Sequence, residues 1–132
     1  METRFTTPED YPELVTWWKW FRFPAPLPET LPNNLKDGIM ISHNGENVCA
    51  GFIYRTPSAF AWLEFIVSNP HIKDKSIRKE SLELLINTIS QVAKNLGFKV
   101  IFTSVKNENL INKYLDCGFT KESHSFEMVK ML

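Results

Sequence analysis

The dipeptide Asn44-Gly45 sits between two apolar runs, Gly38 to His43 and Val48 to Arg55. Asn-Gly takes up the positive φ that a tight turn between antiparallel strands demands, so the stretch predicts a β-hairpin. Glu46 and Asn47 leave its loop length open. After Thr56-Pro57-Ser58, the run from Phe60 to Val67 is apolar at odd and even positions alike, interrupted only by Glu64. That pattern belongs to a strand covered on both faces in mid-sheet.

The covering elements can be read on either side. Upstream, Arg4 to Thr6 predicts a short strand, and Thr7-Pro8-Glu9-Asp10 supplies an N-cap hydroxyl, a proline for the first turn and acids at the positive helix end. Tyr11, Leu14, Val15 and Trp18 then fall on one helical face. From Trp17 to Phe23 the chain is rich in aromatics, and Pro24, Pro26, Pro28 and Pro32 bar regular structure, which predicts an aromatic loop. Its aromatics either plug one end of the core or wall a ligand pocket. Downstream, Leu82, Leu85, Ile86, Ile89, Val92, Ala93 and Leu96 repeat at helical spacing until Gly97 provides a stop. Val100 to Val105 reads as a buried strand, Asn107 to Cys117 as a short helix ended by Gly118, and His124 to Lys130 as a last strand. The order β-α-loop-β-β-β-α-β-α-β implies an α/β fold with a mixed central sheet, its N-terminal half antiparallel, flanked by helices on both faces.

A chain of 132 residues, 43% of them hydrophobic, is sized for one domain. Fifteen basic and fifteen acidic residues leave no net charge, so nothing global points to nucleic acid or an anionic membrane. No apolar run is long enough to span a bilayer and Met1 to Thr7 has no signal-like core, so a cytoplasmic protein is expected. Cys49 and Cys117, like His43, His71 and His124, are scattered without metal-ligand spacing. No metal is expected, and the thiols read as free.

This order of elements resembles the GNAT superfamily of acetyl-CoA-dependent N-acyltransferases. Asn107, Tyr114, Gly118 and Phe119 carry the likeness, in the segment Asn107-Glu-Asn-Leu-Ile-Asn-Lys-Tyr114-Leu-Asp-Cys-Gly118-Phe119. Gly51-Phe52-Ile53 is similar to part of that family's third strand, so the likeness runs from Gly38 to the C-terminus. The aromatic N-terminal segment and compact size also resemble GNAT-like proteins of tailed bacteriophages, which would place the chain in a bacterial host's cytoplasm.

The resemblance implies acetyl-CoA as co-substrate and a site for each part of it. The strand Phe60 to Val67 would part from its neighbour and offer Ile66, Val67 and Ser68 to the pantetheine, and Asn107 would also touch the cofactor. A phosphate cradle of pattern Arg/Gln-x-x-Gly-x-Gly/Ala would open the long helix; aligned from Pro70, this chain has Lys73-Asp74-Lys75-Ser76-Ile77-Arg78. Both glycines are replaced, which takes away close approach of phosphate to backbone. The cluster of Lys73, Lys75, Arg78 and Lys79 either awaits an anion at the helix N-terminus or is a solvated face balanced by Asp74 and Glu80. Tyr114 matches the family tyrosine that protonates the departing thiolate, and Glu64, a carboxylate in an apolar strand, is the natural general base or the buried partner of a core cation. Trp17, Trp20 and Phe21 would bind the acceptor, by an apolar wall or a cation–π seat.

The leading expectation is therefore an acetyl-CoA-dependent N-acetyltransferase acting on a small-molecule or protein amine, with a homodimer compatible. The alternative is a GNAT-fold binding protein without catalysis that uses the aromatic loop 17–23 on a protein partner. Nucleic-acid association through Lys73 to Lys79 is disfavoured by the neutral charge.

Overall fold

The computed structural model describes residues 1–132. Five strands form one sheet in sequence order: β1 (Glu2–Phe5), β2 (Gly38–His43), β3 (Glu46–Tyr54), β4 (Phe60–Ser68) and β5 (Val100–Phe102). The first four are antiparallel and β5 runs parallel to β4. The β2–β3 turn is the two-residue loop Asn44-Gly45, with φ of 50° and 78° and His43 facing Glu46. Two consecutive positive φ values are what a type I′ turn requires, and Asn-Gly meets them with little strain.

Helix α1 (Tyr11–Trp20) covers one face of the sheet. A 3-10 turn, Pro8–Asp10, precedes it, and the Thr7 N–H donates to Asp10 Oδ2 (2.8 Å). The Asp10 carboxylate also takes two hydrogen bonds from Arg4, at 2.8 and 2.9 Å. Leu14, Trp17 and Trp18 pack on Met40, Ala50, Phe52 and Val67, and Leu31 and Leu35 close the same cluster. The aromatic loop expected from Trp17 is therefore helical as far as Trp20, where Arg22 (φ 55°) closes the helix with its N–H on Lys19 O (3.0 Å) and the Phe23 N–H on Trp18 O (3.0 Å); burial of two indoles on the sheet outweighs their modest helix propensity.

Helix α2 (Lys75–Asn95) covers the other face, with Leu85, Ile86, Ile89 and Ala93 against Ile39, Ile41, Cys49, Ile53 and Leu63. Gly51 lets it approach: a Cβ there would lie 3.0 Å from Ile66 Cγ1 and 3.2 Å from Ile89 Cδ1. Helix α3 (Glu108–Asp116) packs on α2 and begins at Asn107, whose side chain accepts from the Leu110 N–H (3.0 Å).

Two strand expectations fail at the C-terminal side. β5 stops at Phe102 rather than Val105, because Thr103 turns its hydroxyl to Leu63 O (2.7 Å) and the Ser104 N–H goes to the Glu64 carboxylate (3.1 Å) instead of a strand backbone. Residues 124–130 form no strand; they are exposed, Phe126 at 94%. A strand needs a ladder partner, and three residues of β5 offer very little of one. No helix is long and apolar enough to cross a membrane.

Candidate active site

Strands β4 and β5 pair only over Phe60–Val100, Ala61–Ile101 and Trp62–Phe102. Past Trp62 they part, and the side of β4 that faced β5 has no strand beside it. Here β4 also bulges. Ala50 pairs with Val67 and Phe52 with Glu64, so Phe65 and Ile66 together oppose the single residue Gly51, and Phe65 has φ of 58°. A positive φ on a phenylalanine costs about 1–3 kcal/mol and persists only where its surroundings enforce it. The packing that enforces it is aromatic: Phe65 meets Trp18 edge-on at 6.5 Å and Tyr54 at 6.3 Å. The bulge thereby brings Phe65 to the α1 face, beside Trp62 and Glu64, instead of the α2 face that strict alternation would assign to it.

Those three side chains, with Tyr54 and Thr30, line an open cleft of about 380 Å³. Glu64 is its one charged group. Burial raises the Glu64 carboxyl above the ordinary range; the Ser104 N–H pulls it down, and repulsion from Glu127 pushes it up again. Tyr54 donates to Thr30 O (2.7 Å), and burial together with the Glu64 charge pushes its phenol up to about 12.

Tyr114 stands behind the gap between the strands. Its phenol oxygen is 3.3 Å from Thr103 Oγ1, which in turn holds Leu63 O, the first β4 carbonyl beyond the last paired residue. Burial, the largest cause, and the nearby Glu64 charge raise the phenol well above 10, against the hydrogen bond with Thr103. The phenol is therefore protonated at neutral pH. The Tyr…Gly-Phe spacing also has a packing role. Gly118 (φ 92°) ends α3 in a Schellman turn, with Phe119 N donating to Tyr114 O (3.0 Å) and Gly118 N to Leu115 O (3.1 Å). The two aromatic rings lie 4.9 Å apart, the apolar contact such a turn carries.

The cradle expected at Lys73 to Arg78 is occupied by the chain itself. Asp74 caps α2: its Oδ1 accepts from the N–H of Ser76 (2.9 Å) and of Ile77 (3.3 Å) and from the Ser76 hydroxyl (2.7 Å). Those bonds hold the Asp74 carboxyl below its ordinary range. Two of the N–H groups that would grip a phosphate thus already hold an anion. Asn107 likewise spends its carbonyl oxygen on the α3 cap.

The three acceptor residues expected from sequence are not together. Trp17 is in the core at 2% exposure and cannot touch a ligand, because the helix carries it onto the sheet. Trp20 and Phe21 are exposed at the end of α1. Trp20 stands beside the loop that follows β4, edge-on to His71 (5.6 Å), with Lys73 Nζ 5.6 Å from its ring centroid; the chain's own cation fills that seat. Of the strand residues, Val67 buries its side chain in the α1 cluster and Ile66 packs toward α2, so both can offer a ligand only backbone. Thr30, Tyr54, Trp62 and Phe65 were missed. One signal was readable: Trp62 and Glu64 are two apart on one strand, and so share a face.

A five-stranded sheet that is antiparallel up to β4 and parallel at β5, opened between those two strands and covered by helices on both faces, superposes on solved acetyltransferases. The first is the N-acetylglutamate synthase of Neisseria gonorrhoeae, complexed with coenzyme A and L-arginine, at TM-score 0.74 and 17% identity over 92% of this chain. The chain has the GNAT fold. It spans only 28% of that synthase. A Trypanosoma brucei acetyltransferase matches over nearly the full length of both chains, 98% and 99%, at TM-score 0.64 and 16% identity. A Mycobacterium tuberculosis protein in complex with CoA matches at TM-score 0.67 and 14% identity over 97% of this chain and 76% of its own. No family model and no curated protein matches the sequence. The likeness therefore rests on the GNAT architecture, and the site has to be argued from this chain's own residues.

Proposed function

We propose that the chain is an acetyl-CoA-dependent N-acetyltransferase for a small-molecule amine. The observation that carries the reading is the parting of β4 from β5 immediately past Trp62, with Glu64 on one side of the gap and the Tyr114 hydroxyl behind it. Bound acetyl-CoA would supply the activated acyl carbon. The β4 side fits it: the backbone from Glu64 to Ser68 has no strand partner on that side and can pair with an extended pantetheine as an added strand would. At the phosphate end, Lys73, Lys75 and Arg78 supply positive charge around a helix start whose N–H groups Asp74 now occupies.

In this reading Glu64 removes a proton from the acceptor ammonium, directly or through water, and its raised pKa makes it a stronger base than an ordinary carboxylate. The freed amine attacks the thioester carbonyl, the C–S bond breaks, Tyr114 delivers its proton to the leaving sulfur, and the second proton shed by the acylated nitrogen restores the Tyr114 phenol through water. A second reading has one specific observation in its favour: the Asp74 cap makes α2 self-sufficient, as expected of a GNAT-fold binding protein that no longer holds the cofactor.

Calorimetric titration with acetyl-CoA separates the two. A dissociation constant in the micromolar range is expected; no heat at millimolar acetyl-CoA would sink the enzyme reading. With binding in hand, Tyr114→Phe keeps the ring on Phe119 and should leave acetyl-CoA affinity unchanged while lowering kcat roughly 10²-fold or more. Unchanged kcat in that variant removes Tyr114 from the acid role.

A further inference from the structure

Every feature of the cleft beside Glu64 selects for one kind of acceptor. Its walls are the rings of Tyr54, Trp62 and Phe65, its one charge is the Glu64 carboxylate, and no lysine or arginine lines it. Arg55, the cation nearest in sequence to its walls, is committed elsewhere: its guanidinium holds both carboxylate oxygens of Asp37, at 2.9 and 3.0 Å. Aromatic faces around a carboxylate form a seat for an ammonium ion.

The cleft also continues in one direction. Trp62 belongs both to its wall and to an exposed stripe on the same face, where Trp62 and Phe102 lie 5.4 Å apart and Phe102 and Phe60 5.2 Å apart. All three rings are more than a third exposed, on a part of the sheet that α1 does not reach. An apolar group attached to a seated ammonium would lie along this stripe and bury it.

We infer that the acceptor is a hydrophobic primary amine, an aryl-alkyl or alkyl monoamine, and that an amino acid carrying carboxylates is excluded. The inference rests on the acyltransferase reading for the word acceptor; the ligand chemistry itself rests on the cleft. It separates this chain from an enzyme acting on a dicarboxylic amine: a carboxylate beside the amine would meet Glu64 with no cation in the cleft lining to balance it.

The test is calorimetry on the full chain at neutral pH with phenethylamine, 2-phenylethanol and L-glutamate, each with and without acetyl-CoA. Phenethylamine should bind, its alcohol analogue at least about ten-fold more weakly, since a factor of ten corresponds to one modest charge-dependent contact. L-glutamate should give no heat. Trp62→Ala and Glu64→Gln should each weaken phenethylamine about ten-fold, and Phe102→Ala should abolish any gain on lengthening the carrier from ethylamine to phenethylamine. Glu64→Gln is isosteric and keeps an acceptor for the Ser104 N–H, so it reports on charge in a folded protein. L-glutamate binding as well as phenethylamine, or phenethylamine affinity indifferent to both Trp62→Ala and Glu64→Gln, overturns the inference. Acetyl-CoA binding without amine binding overturns it too and leaves the acyltransferase reading standing. Amine binding with no acetyl-CoA binding does the reverse.

Discussion

Trp17 and Trp62 carry the same side chain in opposite surroundings, and exchanging each for alanine measures the difference. Trp17 is 2% exposed between α1 and the sheet; Trp62 is 37% exposed at the cleft wall. A buried indole withdraws about 150–250 Å² from water, and at about 25 cal/mol per Å² that is roughly 4–6 kcal/mol, an upper figure because the unfolded chain already hides part of it. Measured Trp→Ala costs of about 3–5 kcal/mol agree. For a chain of 132 residues each kcal/mol moves Tm by roughly 3–5 °C, so Trp17→Ala should lower Tm by roughly 10–20 °C. Trp62→Ala should cost about 1–2 kcal/mol and spend its effect on the acceptor instead. Thermal unfolding followed by far-ultraviolet circular dichroism gives the first quantity, and KM for an amine acceptor, measured well below the Tm of each variant, gives the second. A Trp17→Ala protein within 1 °C of the parent in Tm but unable to bind amine would put Trp17 back in the site and refute the packing argument.

Three further outcomes follow from the same geometry. Because burial, and then Glu127, raise the Glu64 carboxyl, the rising limb of kcat/KM against pH should inflect above the ordinary carboxylate value of about 4.3 and vanish in Glu64→Gln; the stability that Glu64 contributes relative to Gln is complete below that value and should be lost as pH climbs through the raised pKa, so a difference that grows with pH contradicts the sign. Asp74→Ala frees the N–H groups of Ser76 and Ile77 and removes a negative charge from among Lys73, Lys75 and Arg78, so coenzyme A should bind several-fold tighter while Tm falls for want of a cap; equal or weaker affinity means phosphate never uses that helix start. Deleting residues 123–132 should shift Tm by no more than about 2 °C, since these side chains bury almost nothing; a loss of several degrees would show the segment pairing with the sheet in solution.

What the sequence made legible and what it hid divide along one physical line. Local chemistry was readable. Asn44-Gly45 needs only its own two φ values to make a turn, Gly97 and Gly118 only theirs to end helices, and the α2 stripe from Leu82 to Ala93 only a period of 3.6. Errors came where a partner decides. The helix runs on to Trp20 because the sheet offers Trp17 and Trp18 a place to be buried, and the strand expected over 124–130 fails because β5 offers almost no ladder. Of the candidate site, Glu64 and Tyr114 were nameable from the sequence, as a carboxylate in an apolar strand and a tyrosine at a fixed distance from Gly-Phe. The cleft walls were not, and Phe65 shows why. Counted by alternation it belongs to the α2 face with Leu63; it reaches Trp62 and Glu64 only because β4 carries two residues opposite Gly51. That extra residue leaves no trace in composition or period, since Phe65 and Ile66 are both apolar and either face would have accepted them. The energy that selects the bulge is spread over Trp18, Tyr54 and the close fit of Gly51 to α2, three elements that meet only in the folded chain. A positive φ at a phenylalanine is therefore a result of tertiary packing, and the cleft it helps to line becomes visible only once that packing is in place.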